Sequence, residues 1–67
     1  MTDQEIVDKL EVGYLAAMKA SKESGSFHGM AYLSGKASGF IEAITMLVGI
    51  GYASYVIRET GYRIRTL

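Results

Sequence analysis

The hydrophobic positions follow a helical period twice. Val7, Leu10, Tyr14 and Ala17 recur at spacings of three, four and three, and Ile6, Leu15 and Met18 widen the stripe. That spacing places one apolar face on a helix over about residues 3–21. Thr2-Asp3-Gln4-Glu5 has the form of a capping box, in which Thr2 and Glu5 satisfy each other's end of the first turn. Asp3 and Glu5 also suit the positive end of the helix dipole. Gly13 interrupts the helix at a cost of up to ~1 kcal/mol. The second run is Met30, Leu33, Ala37, Phe40, Ile44 and Leu47, alternating spacings of three and four. It predicts a core-facing seam on a helix over about 28–48.

Between the two runs, "SKESGSFHG" is polar and glycine-containing and reads as a loop over about 22–27, with Ser24 or Ser26 as the cap of the second helix. So short a connection predicts an antiparallel helical hairpin. Gly49 and Gly51 are expected to stop the second helix. The tail changes character. "YASYVIRETGYRIRTL" is rich in Tyr, Val, Ile, Thr and Arg, and a turn at Thr60-Gly61 pairs Ile57 with Ile64 and Tyr55 with Thr66. Residues 52–67 are therefore expected to form a β-hairpin, the opposite face carrying Val56, Arg58, Arg63 and Arg65. The competing reading continues a helix to Glu59 and caps it at Gly61. The expected fold is α+β, one small domain over 1–67, an N-terminal helical hairpin followed by a C-terminal β-hairpin. The alternative is all-α with two or three helices.

Length constrains how such a chain is stabilised. At 67 residues it buries a modest fraction of its surface, and small folds compensate with disulfides, metals or oligomerisation. There is no cysteine and a single histidine, His28. Disulfides, thiolate metal sites and multi-histidine metal sites within one chain are thereby excluded, and no cofactor is expected. Oligomerisation is the route left, and a 49% apolar composition fits surface buried between subunits. A homo-oligomer, dimer or higher, is the expected state.

Charge adds an asymmetry. The net charge is zero, but Asp3, Glu5, Asp8 and Glu11 make the start acidic, while Arg58, Arg63 and Arg65 make the end basic. Either a solvated surface or head-to-tail contact accounts for this. Three arginines on a neutral chain give no strong nucleic-acid signal. The start is acidic and lacks an apolar segment, so no secretory signal is expected, and a cytoplasmic setting is. Between Lys36 and Arg58 the only charged residue is Glu42. A buried acid in a bilayer costs roughly 2.5–3.5 kcal/mol, so a membrane-inserted protein is only the second alternative.

Candidate chemistry concentrates on the second helix. Ala31, Gly35 and Gly39 are spaced by four and flanked by Ser34 and Ser38. Two helix backbones approach closely only where side chains are this small, so these five residues are the candidate interface, against the first helix or a second copy. A different use of the same region is a groove for a flat ligand. Tyr14 and Tyr32 are candidate stacking residues there, and Lys36, Arg58, Arg63 and Arg65 candidate phosphate contacts. "SGKASG" lacks the glycine spacing of a phosphate loop. No catalytic residue is expected: His28 has no linked nucleophile, and Glu42 is the one carboxylate of the apolar half, to be weighed as a site only if buried.

The stretch "AYLSGKASGFIEAITML" carries Tyr32, Gly35-Lys36, Gly39-Phe40 and Glu42-Ala43. In this it resembles small uncharacterised phage and prophage proteins. The resemblance covers about a quarter of the chain. It implies an accessory protein that binds and modulates or inhibits a host factor, and it assigns no functional residue. The expected function is a small non-enzymatic homo-oligomeric binding protein. The alternative is an oligomeric sponge that sequesters a small nucleotide signal in an inter-subunit groove.

Overall fold

The computed structural model describes residues 2–66 as three helices, α1 (Asp3–Glu23), α2 (Phe27–Val48) and α3 (Ile50–Arg65). The capping box at the start of α1 is formed: the Glu5 amide donates to Thr2 Oγ1 at 3.2 Å, and the Thr2 amide donates to Glu5 Oε1 at 3.5 Å. Val7, Tyr14 and Ala17 are buried, as the stripe requires, and Ser21 extends it by one turn. The connection to α2 is shorter than the expected loop. Ser24 ends α1 and Ser26 caps α2, accepting from the Gly29 amide at 3.0 Å. The α1–α2 pair is the helical hairpin the spacing predicts, and its interface is the most extensive of the three.

The predicted α+β class is wrong. Among the described residues there is no strand, and the tail folds as α3, so the molecule is the three-helix form of the all-α alternative. The reason lies in which tail residues find cover. Ala53, Val56, Thr60 and Ile64, at spacings of three, four and four, are buried. Alternation would have turned Tyr55 and Ile57 inward; both are exposed. Strand preference of β-branched residues spans only about 1 kcal/mol and yields to burial. Gly61 has no positive φ and makes no turn, so the helix runs through it to Arg65, past the end assigned in the competing helical reading.

The break between α2 and α3 is a single residue. Gly49 has φ +95° and ψ 165°, a backbone conformation that L side chains rarely adopt. Its amide donates to the Thr45 carbonyl at 2.9 Å, and its carbonyl accepts from the Ala53 amide at 3.2 Å. One glycine thus closes one helix and opens the next. Gly51, expected to share in the stop, lies inside α3. The apolar stretch considered for a membrane span is divided here, and among the described residues no helix is long and apolar enough to cross a membrane.

Helix α3 lies back over the hairpin and is tied to α1 near both ends. The Tyr52 hydroxyl donates to Glu11 Oε1 at 2.6 Å, and Lys22 Nζ donates to the Ile64 carbonyl at 3.0 Å. Lys22 thereby satisfies a carbonyl in the last turn, where the helix dipole favours a cation. α1 and α3 consequently run in the same direction, with α2 opposed.

Two substitutions separate this fold from the hairpin. Gly61→Ala, inside a helix with nothing within 4 Å of the added methyl, is expected to stabilise the protein by up to ~1 kcal/mol. In a hairpin turn it would destabilise. Gly49→Ala is expected to destabilise by about 1 kcal/mol or more, because alanine resists the required φ. Urea denaturation of both variants measures the two signs.

Candidate functional site

Two surfaces carry the chemistry, and a close contact between α1 and α2 lies apart from both. At the α1–α2 crossing, a methyl at Gly13 would lie 2.6 Å from Phe40 Cε1. The glycine read in the sequence as an interruption is the residue that seats Phe40 against α1. Nearby, Ser21 is buried, donating to the Met30 carbonyl at 3.3 Å and sharing a hydrogen bond of 3.2 Å with the Ser34 hydroxyl. Ser34 therefore faces α1.

The remaining members of the candidate interface point away. Ala31, Gly35, Ser38 and Gly39 are exposed, and nothing lies within 4 Å of a methyl built on Gly35 or Gly39. Of the two partners proposed for that strip, the first helix is not the one it meets. Tyr32 and Met46 bracket the strip and are 71% and 87% exposed. Lys36 and Glu42 are exposed on its flanks. The buried residues of α2, Ala37 and Ile44, are on the opposite side.

The second surface is a groove of about 340 Å³ between α1 and α3. Its α1 wall presents Asp8, Glu11, Val12 and Leu15; its α3 wall presents Tyr52, Tyr55, Val56 and Glu59, with Arg63 toward the end. The Tyr52 and Tyr55 rings are 5.9 Å apart, one helical turn from each other. Acceptance by Glu11 holds the Tyr52 proton and raises its pKa above the ordinary value, and burial and the charges of Glu11 and Asp8 add to this. Three carboxylates beside two phenol rings suit a cation more than a phosphate.

The candidate ligand-binding residues are not gathered into one place. Tyr14 sits in the core, where burial raises its phenol pKa. Tyr32 is on the outer side of α2, and Lys36 borders a shallow second groove beside Phe40. Arg63 borders the acidic groove, while Arg58 is exposed on α3. Arg65 is exposed and donates from Nε to the Gly61 carbonyl at 3.3 Å within its own helix. His28 is exposed in the first turn of α2, its ring edge-on to Phe27, and Glu42 is exposed. No group of three metal-ligating residues is assembled among the described residues.

The acidic groove escaped the sequence reading, although its signal was present. Tyr52, Tyr55 and Glu59 stand at spacings of three and four, the helical period, in the tail read as a strand. Comparison with protein family models, curated proteins and solved structures finds no match to the chain.

The Tyr52–Glu11 pair makes an alkaline prediction. A phenol that holds its proton more tightly when folded contributes stability in full below the ordinary tyrosine value of about 10. That contribution is lost as pH rises through the raised folded value. Tyr52→Phe is expected to flatten this alkaline loss without abolishing it, because Tyr14 adds its own share. Glu11→Gln is expected to bring the Tyr52 titration down. Phenolate absorbance and denaturation midpoints between about pH 9 and 11 check both.

Proposed function

We propose that this is a non-enzymatic binding protein that works as a homo-oligomer assembled through the outer side of α2. The observation that supports it is the open strip itself. A 22-residue helix leaves Tyr32 and Met46 in solvent on either side of glycines with nothing against them. The folded chain spends helix propensity at Gly35 and Gly39 without any internal contact that needs glycine there. A second helix backbone is the kind of object that uses such a strip.

The wider role belongs to the same proposal: a cytoplasmic accessory protein that binds and modulates a host factor, as the resemblance to phage proteins implies. The acidic, aromatic groove between α1 and α3 is the surface it offers a partner. The nucleotide-sponge alternative gains less support. Its tyrosines and basic residues are dispersed over the single chain, and the larger groove is lined by carboxylates.

Light scattering at high micromolar concentration is expected to give a mass above that of one chain. Gly35→Leu is expected to weaken the association at least about tenfold, by overpacking. Because the space at Gly35 is open in the single chain, its helicity should not change. A strict monomer overturns the proposal; an unchanged mass for Gly35→Leu removes α2 from it.

A further inference from the structure

The groove between α1 and α3 has an acidic end. Asp8 and Glu11 on α1 line it opposite Tyr52 and Tyr55 on α3. Both carboxylates are held by neutral donors: Gln4 Nε2 donates to Asp8 Oδ1 at 2.8 Å, and the Tyr52 hydroxyl donates to Glu11 Oε1 at 2.6 Å. These donors fix the two groups in place and leave their charge uncancelled. Among the described residues that line the groove, the one cation is Arg63. Its backbone stands about three helical turns, ~16 Å, beyond that of Tyr52 along α3. The charges that bear on the Tyr52 hydroxyl are those of Glu11, Asp8 and the Tyr55 phenol, all acids. Resting on the reading of this groove as the surface offered to a partner, we infer that it receives an arginine side chain of a partner polypeptide, the guanidinium set against the carboxylates of Asp8 and Glu11 and the ring of Tyr55.

Charge complementarity selects a cation, and the rest of the groove selects which one. An anionic group is repelled at this end. A bare metal ion finds no assembled group of three ligating residues among the described residues. An organic cation gains from the carboxylates and from the negative face of a tyrosine ring. Tyr55 is 48% exposed, so its ring is accessible to such a group. Guanidinium is planar, stacks on aromatic rings, forks onto carboxylate oxygens and is more weakly hydrated than an ammonium. A groove open to solvent strips little water from its occupant, so the more weakly hydrated cation has the advantage. The remaining wall is aliphatic, with Val12, Leu15 and Val56, and Val12 is 68% exposed. An arginine stem and the apolar neighbours of that arginine on a polypeptide cover this wall. A free small cation leaves it wet.

Capped tripeptides with leucine at both ends and arginine, lysine or glutamine at the centre are titrated into the isotope-labelled full-length protein, with methylguanidinium as the free cation. Amide signals in nuclear magnetic resonance report binding. The arginine peptide is expected to shift the signals of Glu11, Tyr52 and Tyr55 saturably. The lysine peptide is expected to bind about threefold more weakly, and the glutamine peptide about tenfold. Asp8→Asn and Tyr55→Leu are each expected to weaken the arginine peptide about threefold, with helicity by circular dichroism unchanged. Equal affinity for the arginine and lysine peptides overturns the choice of arginine. Methylguanidinium binding as tightly as the arginine peptide overturns the polypeptide occupant. In both cases the groove stands as a binding surface. Unchanged affinity in both variants places the peptide elsewhere and overturns the inference. No saturable shift from any probe overturns the groove as the partner surface too, and leaves association through α2 to its own measurement.

Discussion

The seating of Phe40 against Gly13 is the contact on which the remaining architecture depends. A small chain needs its two long helices close together, because little else is available to shield the core. Removing the side chain at one position of α1 lets an aromatic ring enter the crossing. With α1 and α2 fixed in that relation, Tyr14, Ala17, Ala37 and Ile44 form the shared interior, and Ser21 meets Ser34 at its margin. Only then is there a surface for α3, whose Ala53 and Val56 complete the same cluster. The helix-propensity cost of Gly13 is offset by the burial it permits.

Where the sequence was legible, apolar period and local capping agreed. Thr2 and Glu5, the stripe from Val7 to Ala17, and the pairing of two helices across a short loop all lie in that regime. The seam of α2 was readable at its centre and not at its ends: Ala37 and Ile44 are buried, while Met30 and Leu47 keep the rhythm yet lie exposed. Periodicity gives a direction and leaves open how far a neighbour extends to cover it. The tail failed for a sharper reason. Ala53, Val56, Thr60 and Ile64 carry a helical period, but Tyr55 and Ile57 between them suggest alternation, and residue preference favoured strand. The decision rests on Gly49, whose turn brings α3 back onto a surface only the folded hairpin provides. Of the candidate interface, the small residues were legible as a set, but Ser34 belongs to the internal contact, and sequence spacing alone does not tell adjacent helix faces apart.

The interior explains why so much apolar surface remains outside. Its largest fully buried side chains are Val7 and Ile44, and alanines supply much of the rest. Such a core permits close helix approach and buries little area per residue. The bulkier groups, Phe27, Tyr32, Met46 and Ile50, are correspondingly outside. With so little apolar area covered per residue, the folded chain has a narrow margin of stability, and any further cover over these groups would add to it.

The charge asymmetry of the chain finds a local explanation in the same architecture. Tyr52 meets Glu11 near the start of α3, and Lys22 meets Ile64 near its end, so α1 and α3 are aligned and their like ends are adjacent. The first turn of α1, with Asp3 and Glu5, therefore lies toward the opposite end from Arg63 and Arg65, while Asp8 and Glu11 line the groove whose far end Arg63 borders. Each terminal cluster sits where a helix dipole favours it, Asp3 and Glu5 at the first turn of α1 and Arg63 and Arg65 at the last turn of α3. Dipole complementarity accounts for the charges at the poles without a partner. It does not reach Lys36 and Glu42, which stand in the middle of α2, far from either end, and are held on exposed flanks of that helix.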